Sequence, residues 1–69
     1  MTGEQYLQRT INNLSLYNTD AILIDIKYLP CRISEPIEKA FYKALQRNGN
    51  MRTACRVARR TAKKFIGLV

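Results

Sequence analysis

The segment Met51–Val69, MRTACRVARRTAKKFIGLV, keeps its apolar and charged residues on separate faces of a helix. At roughly 100° per residue, Met51, Ala54, Cys55, Val57, Ala58, Ala62, Phe65, Ile66, Leu68 and Val69 occupy one half of a helical wheel. Arg52, Arg56, Arg59, Arg60, Lys63 and Lys64 occupy a separate arc of roughly 140°. Thr61 is the only polar residue in the apolar half. A chain broken inside this stretch has no reason to hold phase across the break. The pattern therefore predicts one continuous amphipathic helix over Met51–Leu68.

An amphipathic helix must bury its apolar half against something. With 69 residues and no Trp, the chain has room for one small core. A core of this size leaves a margin of roughly 3–5 kcal/mol. A hydrophobic fraction of 46% is that of a globular domain rather than a disordered tail. Dimerisation is a natural way for so short a chain to gain buried area.

Local signals place the partner helices. Ser34-Glu35-Pro36 reads as a helix start, with a capping Ser, an acid near the positive end of the dipole and a Pro in the first turn. Ile37, Ala40, Phe41, Ala44 and Leu45 then form an apolar stripe, with Lys39, Lys43 and Arg47 as a basic line at i, i+4 and i+8. Gly49 is suited to the left-handed residue after a helix end, so this helix is expected over Glu35–Asn48. Asn50 can cap the next helix directly, which makes a tight corner.

Nearer the N-terminus, Thr2-Gly3-Glu4-Gln5 has the T-x-x-Q form of a capping box. Tyr6, Leu7, Thr10, Ile11, Leu14 and Tyr17 follow at helical spacing, predicting a helix from Gly3 to about Leu16. Asn12, Asn13 and Asn18 are weak helix formers and soften its end. The stretch AILIDIKYL, Ala21–Leu29, is ambiguous. Its alternation suits a strand, but a lone strand has no partner in this chain unless two copies pair as a ribbon. A short helix, ended by Pro30, is the preferred reading. Together these segments predict an all-α fold, a small three- or four-helix domain over residues 1–69 with a C-terminal basic amphipathic helix.

Charge points to the class of partner. Residues 1–34 carry Arg9, Lys27 and Arg32 against Glu4, Asp20 and Asp25, and sum to zero. The whole net charge of +7 therefore lies in residues 35–69, where no acid follows Glu38. A merely solvated surface normally mixes both signs, and segregated positive charge suits a polyanion.

Catalytic and metal chemistry find little support. The chain has no His and two cysteines, Cys31 and Cys55, which supply too few ligands for zinc. Cys31 beside Arg32 is a conceivable nucleophile, but no general base accompanies it. Cys55 falls on the apolar face and reads as a small core residue. No cofactor is expected, and the chain is not expected to be an enzyme. No leader pattern and no apolar run long enough to span a bilayer is present, so a reduced, cytoplasmic setting without membrane contact is expected. The cationic, Phe-bearing AKKFIGLV suits a membrane surface, but its apolar residues are expected to be used by the core.

Leu45 to Ile66 resembles the helix-turn-helix segment of homeodomain-like proteins, as in Fis-type domains and phage terminase small subunits. Gly49-Asn50 matches the first corner, Ala54-Cys55-Arg56-Val57-Ala58 the supporting helix, and Arg59-Arg60-Thr61 with Ala62-Lys63-Lys64 the start of the recognition helix. The three-residue turn that separates those two helices in the family is missing, since Ala58 runs straight into Arg59. A bent motif at this point is the alternative to the continuous helix. The resemblance implies a DNA-binding protein, a regulator or accessory factor of a phage or mobile element.

Arg52, Arg56, Arg59, Arg60, Lys63 and Lys64 are the expected nucleic-acid-binding residues, with Lys39, Lys43 and Arg47 as a second phosphate-contacting line. DNA is the expected ligand and RNA a second candidate. A homodimer would double the contact on a palindromic site. The alternative is a small interaction module that inhibits or redirects a host nucleic-acid enzyme.

Overall fold

The structure is a computed structural model that describes residues 2–18 and 26–68. Within them the fold is all-α. Helix α1 spans Gly3–Ser15, α2 spans Cys31–Asn48 and α3 spans Met51–Lys63, with a single 3-10 turn at Ile26–Tyr28 before α2. Residues 19–25, which carry most of the ambiguous AILIDIKYL stretch, lie outside the described residues.

Helix α1 begins as its capping box requires. The Thr2 backbone N–H donates to Gln5 Oε1 at 2.8 Å, and the Gln5 N–H donates to Thr2 Oγ1 at 3.2 Å. Leu7, Thr10, Ile11 and Leu14 are buried along one face. The Thr10 hydroxyl donates to the Tyr6 carbonyl at 2.9 Å, which lets a polar side chain sit in the core. The helix end is better defined than its asparagines suggest. Tyr17 takes a left-handed conformation with φ 57°. Its N–H donates to the Leu14 carbonyl, and the Asn18 N–H reaches back to the Asn13 carbonyl at 3.0 Å. This is a Schellman motif with a tyrosine where glycine is usual.

Helix α2 starts one turn earlier than Ser34-Glu35-Pro36 predicts, at Cys31 behind Pro30. Pro36 consequently lies inside the helix. There it cannot donate to the Arg32 carbonyl, and its ring crowds that group, a defect of about 3 kcal/mol. Burial explains why the extra turn forms anyway. Ile33 is 1% exposed and Leu29 just before it is also buried. Two buried aliphatic side chains contribute about 1.5–3 kcal/mol each, enough together to offset the proline defect. The far end matches expectation: Gly49, at φ 60°, closes α2 with its N–H on the Leu45 carbonyl at 2.7 Å.

Asn50 caps α3 at once, its side-chain oxygen accepting from the Arg52 and Thr53 N–H groups. Helix α3 packs against both α1 and α2, and the core runs along it. The face it buries is made of small residues: Ala54, Cys55, Ala58 and Ala62 are each fully buried. Small side chains let the helix come close to its neighbours, and the larger Leu7, Leu14, Ile26, Ile33 and Ile37 fill the core around them.

Helix α3 runs unbroken through Ala58–Arg59, so the bent alternative does not form. It stops at Lys63, short of the expected Leu68. The Lys64, Phe65 and Ile66 N–H groups bond three residues back, to the Thr61, Ala62 and Lys63 carbonyls. This tightened winding places Phe65 against the core. Gly67 then turns the chain at φ 85° and donates to Glu4 Oε1 at 3.3 Å. Ile66 and Leu68, expected in the apolar half, are 51% and 65% exposed. Met51, at the helix start, is likewise exposed rather than buried.

Candidate nucleic-acid interface

Two contacts orient α3 against α1. At one end the Arg52 guanidinium lies over the Tyr17 ring, just past the end of α1. At the other, Gly67 bonds to Glu4 in the first turn of α1. The helices are therefore antiparallel, and the small-residue face of α3 is turned inward. Its opposite face carries the basic residues, of which Arg52, Arg56, Arg60 and Lys63 are exposed.

The structure separates the expected basic residues into groups. Arg56, Arg59, Arg60 and Lys63 line one concavity of about 220 Å³. Among the described residues no carboxylate lines it. Arg56 with Arg59 and Arg60 with Lys63 stand at i,i+3, and Arg56 with Arg60 and Arg59 with Lys63 at i,i+4, spacings at which like charges are destabilising by about 0.2–0.5 kcal/mol per pair. The arrangement costs the helix stability unless an anion is present.

Within the group Arg59 differs from the rest. Arg52, Arg56, Arg60, Lys63 and Lys64 are exposed, whereas Arg59 is half-buried. Its Nε is shielded from solvent and has no hydrogen-bond partner among the described residues. Leaving a sheltered donor unsatisfied costs about 1–3 kcal/mol.

Lys43 and Arg47 of α2 belong to a second groove, completed by Ala40, Ala44, Asn48 and Val57. Val57 is the α3 contribution. It follows Arg56 in sequence and stands three residues before Arg60, so the two basic sets flank neighbouring strips of one helix. Lys39 is exposed but lines neither concavity. Arg52 is also outside both, held instead 5.5 Å from the Tyr17 ring centroid. Lys64 lies just beyond α3, in the turn that follows it. Sequence reasoning missed Tyr17 as the seat of Arg52 and Val57 as the link between the basic sets. The helical register places Tyr17 at the end of α1 but cannot say what meets it there.

The two thiols differ as their positions require. Cys31 is exposed at the start of α2, while Cys55 is buried and its pKa is raised by desolvation. Among the described residues no group of three potential metal ligands comes together, and no helix is long and apolar enough to cross a membrane. No family model matches the chain, and no curated protein or solved structure shows significant similarity to it.

Proposed function

We propose that this chain binds nucleic acid, with duplex DNA as the principal ligand, through the outer face of α3. The observation that supports this most is the convergence of Arg56, Arg59, Arg60 and Lys63 on one concavity with no acidic residue in its lining among the described residues. Lys43 and Arg47 add positive charge on the α2 side of the same helix. Phosphate contacts made by such side chains release counterions and give affinity without sequence preference. In this reading Arg52, Lys64 and Lys39 contribute long-range attraction, and the protein serves as a regulator or accessory factor of a phage or mobile element.

The test is the salt dependence of binding to a short duplex. Six contacts, from the four residues of the concavity with Lys43 and Arg47, give a log–log slope of about −5. A flat response overturns the reading. Reversing Arg56 and Arg59 to Glu together is expected to abolish binding while the helical circular dichroism is retained. Undiminished binding by that double variant would mean that another face is used.

The exposure of Ile66 and Leu68 favours a second reading, an interaction module that inhibits or redirects a host nucleic-acid enzyme. Apolar side chains beside Lys63 and Lys64 suit a protein surface that itself carries negative charge. Under this reading a nuclease-treated lysate yields one stoichiometric protein partner, and Ile66→Ser with Leu68→Ser releases it.

A further inference from the structure

We infer that the concavity on α3 is a discrete seat for a single phosphate group, with Arg59 as its anchoring residue. The inference deepens the nucleic-acid reading and rests on it for the source of that phosphate, a backbone phosphodiester.

Three observations lead to it. The first is size. At about 220 Å³ the concavity falls below the roughly 300–1,000 Å³ of pockets that enclose whole small molecules. It suits one group of a larger ligand. The second is charge. Arg56, Arg59, Arg60 and Lys63 surround it with no carboxylate among the described residues, which suits an anionic occupant. A tetrahedral phosphate offers acceptor oxygens in several directions and can meet more than one guanidinium fork, which a planar carboxylate cannot do as well. The third is Arg59. It is the only member of the expected α3 basic set held half-buried, and its Nε has no acceptor among the described residues. Packing restricts this side chain before any ligand arrives, so less freedom is lost on binding than at Arg56 or Arg60. With the guanidinium turned into the concavity, its Nε and Nη donors would share one acceptor. The same anion relieves the repulsion among the four cations.

The seat differs from a diffuse ion atmosphere in being saturable and local. The full chain, labelled with nitrogen-15, is titrated with inorganic phosphate at constant ionic strength, with chloride as the balancing salt. The Arg59 Nε–Hε resonance is expected to shift to a plateau that fits one site. Arg32, exposed at the start of α2 and outside the concavity, is expected to stay in place. Arg59→Lys keeps the charge but loses the fork, and is expected to weaken phosphate at least tenfold. Arg56→Gln, on the exposed side, serves as the second variant and is expected to weaken it less. An immobile Arg59 resonance, or shifts of all arginines in parallel without a plateau, overturns the proposal.

Short duplex DNA added to the phosphate-saturated protein then identifies the source. Displacement of phosphate with a new Arg59 position supports a phosphodiester in the seat. Saturable phosphate binding in a protein that ignores DNA leaves the seat standing and removes the nucleic-acid reading. DNA binding that leaves the Arg59 resonance untouched overturns the seat while the nucleic-acid reading survives.

Discussion

The guanidinium carbon of Arg52 lies 5.5 Å from the centroid of the Tyr17 ring, joining the end of α1 to the first turn of α3. The contact has a backbone cost, because Tyr17 sits at φ 57°, where L-residues are strained. An exposed cation–π pair contributes about 0.5–1 kcal/mol, comparable to that strain. Tyr17→Ala removes the ring and keeps the strain, so it is expected to destabilise the fold by about 0.5–1 kcal/mol in urea titration. Tyr17→Gly loses the ring but removes the strain, and is expected to be more stable than Tyr17→Ala by about 1 kcal/mol. Equal stabilities for the two variants would contradict the left-handed Schellman turn.

Pro36 tests where α2 begins. In a helix starting at Cys31 it is an interior proline, and Pro36→Ala is expected to raise stability by about 1–3 kcal/mol. In a helix starting at Glu35 the same proline would occupy the favourable first turn, and its loss would be neutral or harmful. The sign of the change in urea midpoint decides between them.

The small-residue face of α3 predicts a contrast between two substitutions. Ala58 is fully buried between packed helices, so Ala58→Leu is expected to cost about 1–3 kcal/mol through overpacking. Ile66→Ser, at a position 51% exposed, is expected to change stability by less than about 0.5 kcal/mol. Were α3 to continue to Leu68 with Ile66 in the core, the second change would be the costly one, and thermal melts of the pair would show it.

Burial raises the pKa of the Cys55 thiol. The unfolded chain then ionises this group at a lower pH than the folded chain does. Its contribution to stability is complete below the ordinary thiol pKa and is lost as pH rises through the raised, folded value. Cys55→Ala is expected to flatten that part of the alkaline stability profile relative to the parent protein. A disulfide-exchange reagent is expected to label exposed Cys31 rapidly and Cys55 only at the rate of opening. Equal labelling rates would place Cys55 outside the core.

Much of the fold was legible because its signals are short. Thr2 and Gln5 cap α1 from three residues apart, Gly49 ends α2 through a bond to Leu45, and Asn50 caps α3 through Arg52 and Thr53. Such hydrogen bonds depend on a few neighbouring residues, so the sequence states them almost completely. The inward face of α3 was legible too, because Ala54, Cys55, Ala58 and Ala62 share one phase. Gly67, by contrast, is a stop signal set inside an otherwise regular apolar pattern.

Three features depended on contacts between distant parts of the chain. Ser-Glu-Pro is a sound local start for α2, but burial of Ile33 with Leu29 outweighs it and moves the start to Cys31. The apolar phase of α3 runs to Val69, but packing of Phe65 and the bond from Gly67 to Glu4, 63 residues away in sequence, turn the chain aside after Lys63. Six basic residues of one helical arc look equivalent on a wheel, yet Arg52 meets Tyr17, Arg59 is sheltered and four of the six share a concavity. Periodicity specifies which way a side chain points along its own helix. What it meets there is set by the neighbouring helices, whose buried area outweighs local preference at each of these places.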